Sequence, residues 1–152
     1  MSIEKYQNAL VTGAGRRIGR AIAIDLAAAG WAVAVHYHQS VAKAQEVVHS
    51  IEALGGRAVA VAADLRQETA AAKVVAEAAD SLGPLGCLIN NASTFERDTV
   101  ASATRSSWDT HMEVNLRAPF NLTQAFAGQL PDSVEGNVIN IIDQRVWNLT
   151  PD

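Results

Sequence analysis

The chain has 152 residues, 49% of them hydrophobic and 18% charged, with a net charge of −4. That is one domain's length with enough apolar content for a real core, and an acidic balance without a basic block excludes nucleic acid as the main partner. The single cysteine, Cys87, excludes an internal disulfide framework and points to a reducing, cytoplasmic setting; no apolar run approaches membrane-spanning length, so no membrane partner is expected.

Taken in chain order, residues 8–12 form a short apolar strand. Ile18, Ile22 and Leu26 then recur every four residues, the stripe of an amphipathic helix that Gly30 ends. A second strand covers 31–36 (WAVAVH). Ser40 is placed to cap a helix whose stripe is Ala44, Val47, Val48, Ile51 and Leu54, closed by Gly55 and Gly56. A third strand spans 57–62, and an alanine-rich helix spans 67–82 before Gly83 and Pro84. The fourth strand is 85–90, followed by a polar loop over 93–103, a long helix from about 106 to 130 and a fifth strand over 136–143 (GNVINIID). Near-continuous apolar strands alternating with helices predict a parallel sheet covered on both faces. Right-handed crossovers make it a doubly wound α/β fold in one domain, with sites at the carboxyl ends of the strands.

Between the first strand and the first helix lies VTGAGRRIGR, residues 11–20. Gly13, Gly15 and Gly19 are spaced one residue wider than the usual dinucleotide pattern, yet they follow a strand and open a helix as that pattern requires. Gly13 would allow the tight turn, Gly15 a close backbone approach and Gly19 close packing of the helix, whose free first-turn amides would face a pyrophosphate. Arg16 and Arg17 run against this logic, because a cation at a helix N-terminus is unfavourable by about 0.3–1 kcal/mol. A second anion would offset that. The second strand ends in His36, Tyr37, His38, Gln39 and Ser40, without the carboxylate that binds an NAD ribose. Arg16 or Arg17, His38, Gln39 and Ser40 offer donors for a 2′-phosphate instead, so NADP(H) is the expected cofactor. His36 and His38 have no further ligands nearby in sequence, so no metal site is expected. Asn115 precedes Pro119 by four residues, and a proline has no N–H to give the Asn115 carbonyl, which leaves an acceptor able to hold a water.

TGAGRRIG, Asp64 with Leu65, Asn90-Asn91-Ala92-Ser93 and Asn115, in that order, resemble the short-chain dehydrogenase/reductase superfamily along the whole chain. The resemblance implies a Rossmann-type fold of seven strands, of which these are the first five. It implies cofactor contacts at Thr12, Gly13, Gly15, Arg16, Arg17, Ile18 and Gly19, at Asp64 and Leu65 beside the adenine, and at Asn91, Ala92 and Ser93. Arg17, Ser93 and Asp143 depart from the common family pattern, and together with Phe95 and the HYHxS stretch they resemble the pteridine reductase branch. That branch implies substrate contacts at Arg17, Ser93 and Phe95, the phenylalanine stacking on a pterin. Asp143 and Asn115 would support proton transfer by a tyrosine.

The family's catalytic Tyr-x-x-x-Lys has no counterpart in this sequence. The chain is therefore expected to be an N-terminal portion of a homo-oligomeric protein, held by its C-terminal half as a second chain. Two functions follow as expectations. One is an NADPH-dependent reductase passing hydride to a pterin-like or other carbonyl or imine compound; the alternative is a dinucleotide-binding module without chemistry of its own.

Overall fold

The computed structural model describes residues 6–147. Five parallel strands, β1 (Asn8–Val11), β2 (Ala32–Tyr37), β3 (Ala58–Ala62), β4 (Cys87–Asn90) and β5 (Asn137–Asn140), lie in the order β3-β2-β1-β4-β5. The first strand is central, pairing Leu10 with Ala34 on one side and with Leu88 on the other. Chain direction across the sheet therefore reverses at β1 and β4. Such a switch point opens a crevice at the carboxyl ends of the strands.

The apolar strands are explained by burial on both faces. In β1, Ala9 and Val11 face the helices α1 (Arg17–Ala28) and α2 (Val41–Ala53), packing with Ala23, Ala27, Val47 and Ile51. Leu10 faces the opposite layer, where α3 (Ala70–Leu82) supplies Val74, Ala78 and Leu82 and a later helix supplies Leu122 and Phe126. The many alanines on α1 and α3 let these helices lie close on the sheet.

Most strand ends shift by one or two residues from the sequence expectation, and three elements depart further. The alanine-rich helix begins at Ala70, because residues 64–70 close as successive tight turns, Gln67 N–H to the Asp64 carbonyl and Ala70 N–H to the Gln67 carbonyl. The long helix is three pieces: α4 (Arg105–Met112), a π-helical stretch (Glu113–Arg117) and α5 (Ala118–Gln129). Pro119, which lacks a donor, sits in the first turn of α5 where that loss is tolerated, and the widened turn immediately precedes it. The start of α4 is fixed by a capping box in which Thr104 Oγ1 accepts from Ser107 N–H at 3.1 Å and Ser107 Oγ from Thr104 N–H at 3.0 Å. The fifth strand is shorter than 136–143: its ladder ends at Asn140, with one further bond from Ile141 N–H to the Asn90 carbonyl. Among the described residues no helix is long and apolar enough to cross a membrane.

Candidate functional site

The turn after β1 is held by side chains from three strands. Gly13 has φ +63°, and a Cβ there would sit 3.0 Å from Ala92 Cα, so only glycine fits. The Gly13 N–H donates to His36 Nδ1 at 3.1 Å, and Ala14 N–H donates to the His36 carbonyl at 2.9 Å. His36 Nε2 lies 3.2 Å from the Ala63 carbonyl, so the ring donates there and accepts at Nδ1. This imidazole is 2% exposed, and burial pushes its pKa down to about 4. A strand-end histidine that offered no role in the sequence is thus the tie between the glycine turn and the segment after β3.

Thr12 is buried and does not line the crevice. Its Oγ1 accepts from the N–H groups of Asn91 and Ala92, both at 2.9 Å, and donates to the Ile89 carbonyl. Asn91 Nδ2 returns the link by donating to the Thr12 carbonyl at 2.8 Å. Gly19 packs into this knot: a Cβ would collide with Asn91 Nδ2 and the Gly13 carbonyl. Gly15 is different, since a Cβ there would meet only ordinary contacts of 3.6 Å with Lys43 and Ala44. The protein itself does not require glycine at that position.

The first turn of α1 contains no acidic side chain, and Arg17 has φ +47°, the one non-glycine residue with positive φ among the described residues. Such a conformation costs about 1–3 kcal/mol, and strain of that kind concentrates at ligand sites. Arg16 Nη2 donates to Ser40 Oγ at 2.7 Å. Ser40 therefore does not cap α2 with its side chain, contrary to the sequence expectation, because its hydroxyl is committed across the sheet to Arg16.

Two clefts open along the carboxyl ends of the strands. The first, about 760 Å³, runs from the glycine turn past Arg16, Arg17, His38 and Gln39 to Asp64 and Leu65. Arg66 grips Asp64 there with Nε at 2.9 Å from Oδ1 and Nη2 at 2.7 Å from Oδ2, and this pairing holds the carboxyl at a pKa of about 2. His38 Nε2 lies 3.7 Å from the same carboxylate. The second cleft, about 810 Å³, is bounded by Phe95, Asn115, Phe120, Ile142 and Asp143. Both share Ile18, Asn91, Ala92, Ser93 and Thr94, so they form one continuous trough.

The site residues singled out in the sequence thus gather in this trough, except Thr12, Gly15 and Ser40, which do not line it. Asn115 uses its side chain on the loop: Oδ1 accepts from Thr94 N–H and Nδ2 donates to the Thr94 carbonyl, both at 2.9 Å. Asp143 Oδ1 accepts from Arg145 N–H at 2.8 Å, capping a 3-10 turn over Gln144–Val146. Phe95 is exposed, its ring edge-on to His111 with centroids 6.4 Å apart. His36 and His111 were missed because their partners are remote in sequence or lie in an irregular loop; Arg66 is only two residues from Asp64, but the tight turn that pairs them has no periodic signal.

A family model described as short chain dehydrogenase matches residues 7–144. The chain belongs to the short-chain dehydrogenase family. Several solved structures resemble it closely. FolM alternative dihydrofolate reductase 1 from Brucella canis, complexed with NADP, superposes with a TM-score of 0.89 at 42% identity, over 95% of this chain and 57% of that one. A short chain dehydrogenase from Burkholderia cenocepacia in complex with NADP gives a TM-score of 0.89 at 38% identity, over 97% of this chain and 59% of that one. A 3-oxoacyl-[acyl-carrier-protein] reductase, FabG, from Staphylococcus aureus is 35% identical over 135 residues, 89% of this chain and 55% of the relative. The chain thus spans little more than half the length of the proteins it matches.

Proposed function

We propose that this chain forms the NADP(H)-binding half of a short-chain reductase acting on a flat pterin-like compound or a related carbonyl or imine. The carrying observation is the donor set at the end of β2. Arg16 is bonded to Ser40, His38 and Gln39 line the same end of the trough, and the nearest carboxylate, Asp64, is already neutralised by Arg66. That set suits a ribose 2′-phosphate. The NADP complexes of the two structural relatives support the same cofactor.

In this reading Gly13, Ile18 and Gly19 bring the α1 N-terminus against the pyrophosphate. Asp64 and Leu65 border the adenine, and Asn91, Ala92 and Ser93 line the passage to the second cleft. The bound nicotinamide supplies a hydride. Arg17, Ser93 and Phe95 hold the substrate, with Phe95 stacking against a planar ring. Because the Asn115 carboxamide is occupied by Thr94, its contribution to proton transfer comes from the backbone carbonyl four residues before Pro119. Asp143, at the far wall, orients a proton donor from a Tyr-x-x-x-Lys segment of the complete protein. The pterin assignment draws support from the relative named an alternative dihydrofolate reductase. Exposed Trp108 and Met112 on α4 support assembly as a homo-oligomer.

The test is paired titration of NADPH and NADH against wild type and Arg16→Ala. NADPH preference should fall about tenfold or more in the variant with NADH affinity unchanged. Equal wild-type affinity for both dinucleotides would remove the cofactor assignment.

A further inference from the structure

The loop that carries Phe95 is gripped at alternate residues by one helical flank. Asn115 brackets Thr94 through both its N–H and its carbonyl, and one helical turn earlier His111 Nε2 accepts the N–H of Glu96 at 2.9 Å. The other ring nitrogen, Nδ1, lies 2.7 Å from the Ser107 carbonyl and donates to it, which fixes the tautomer and leaves Nε2 as an acceptor. The same ring meets Phe95 edge-on, at an interplanar angle of 77°. One imidazole therefore sets both the backbone on the far side of Phe95 and the side the phenyl ring rests against. Thr94 borders both clefts, Phe95 the second and Glu96 the first, so this short stretch is where they meet.

We propose that His111 is a positioning residue for substrate: it acts through the loop at 94–96 to present the Phe95 ring to a planar ligand in the second cleft. This rests on the pterin-like substrate assigned above. An extended loop held at Thr94 alone could pivot about that residue and swing Phe95 out of stacking range; the bond at Glu96 removes the pivot. Leucine at 111 would delete the acceptor, whereas glutamine would keep an acceptor at a similar reach.

Full-length protein carrying His111→Leu or His111→Gln tests this by amide hydrogen exchange and by kinetics with NADPH and dihydrobiopterin. Expected for His111→Leu are about tenfold faster exchange at Glu96 and a KM for dihydrobiopterin raised about tenfold. Exchange at Thr94, kcat and NADPH affinity should each stay within about twofold, and His111→Gln should restore both altered values. Unchanged Glu96 exchange in His111→Leu, a normal KM beside faster exchange, or failure of glutamine to rescue would each overturn the proposal. A wild-type protein that neither binds nor reduces dihydrobiopterin would remove the pterin assignment alone, and the exchange result with its glutamine rescue would then decide the clamp.

Discussion

Acidification should loosen the glycine turn through His36, and the size of the effect follows from the structure. In the folded protein this imidazole is neutral, donating to Ala63 and accepting from Gly13, and burial lowers its pKa from 6.5 to about 4. The unfolded chain binds the proton first as pH falls, so the stabilisation is complete above pH 6.5, declines between there and about 4, and then levels off. At about 1.4 kcal/mol per tenfold, the loss is about 3 kcal/mol, a large share of a typical 5–15 kcal/mol. Asp64, whose carboxyl is depressed from 3.8 to about 2 by Arg66, loses its contribution only at lower pH and leaves this window clear. Urea unfolding of wild type and His36→Phe across the interval isolates the effect, because other titrating groups cancel in the difference. At neutral pH the variant should be less stable by about 2–4 kcal/mol, since two half-buried backbone groups lose their partners. By pH 4 that gap should narrow by about 3 kcal/mol. Parallel pH profiles for the two proteins would refute the reasoning.

Gly19→Ala should destabilise the fold by about 1–3 kcal/mol and weaken dinucleotide binding, because its Cβ drives Asn91 and Gly13 apart; urea midpoints and NADPH titration read both. Gly15→Ala should leave stability nearly unchanged, its Cβ meeting only ordinary contacts. Cys87 is 4% exposed and burial raises its pKa, so a thiol reagent at about pH 8 should label it only as fast as the protein unfolds. Phe95→Ala should raise the KM for dihydrobiopterin while NADPH affinity holds; unchanged pterin turnover would end the stacking role.

The sequence by itself determined the strands, the helices and the sites at which the chain turns, but the stripes only in part: Ile18 and Leu54 are exposed, and α1 buries Gly19, Ala23 and Ala27 instead. These depend on periodicity and on residues a few positions apart, such as Gly13 and Gly19, which have no side chain. It also marked which side chains gather at the carboxyl ends, because a doubly wound sheet brings every strand–helix turn there. Tertiary structure decided the partners. Ser40 is a helix cap by local rules, yet its hydroxyl goes to Arg16, 24 residues away, because β1 and β2 pair in register. His36 reaches Gly13 on one neighbouring strand's turn and Ala63 beyond the other, a link that exists only in the order β3-β2-β1. His111 and Asn115 likewise meet Glu96 and Thr94, 15 and 21 residues earlier, only once the chain after β4 has folded back on itself. A hydrophobic pattern is written locally because burial depends on which face a residue occupies, whereas a hydrogen bond depends on which atom arrives opposite, and only the assembled sheet decides that.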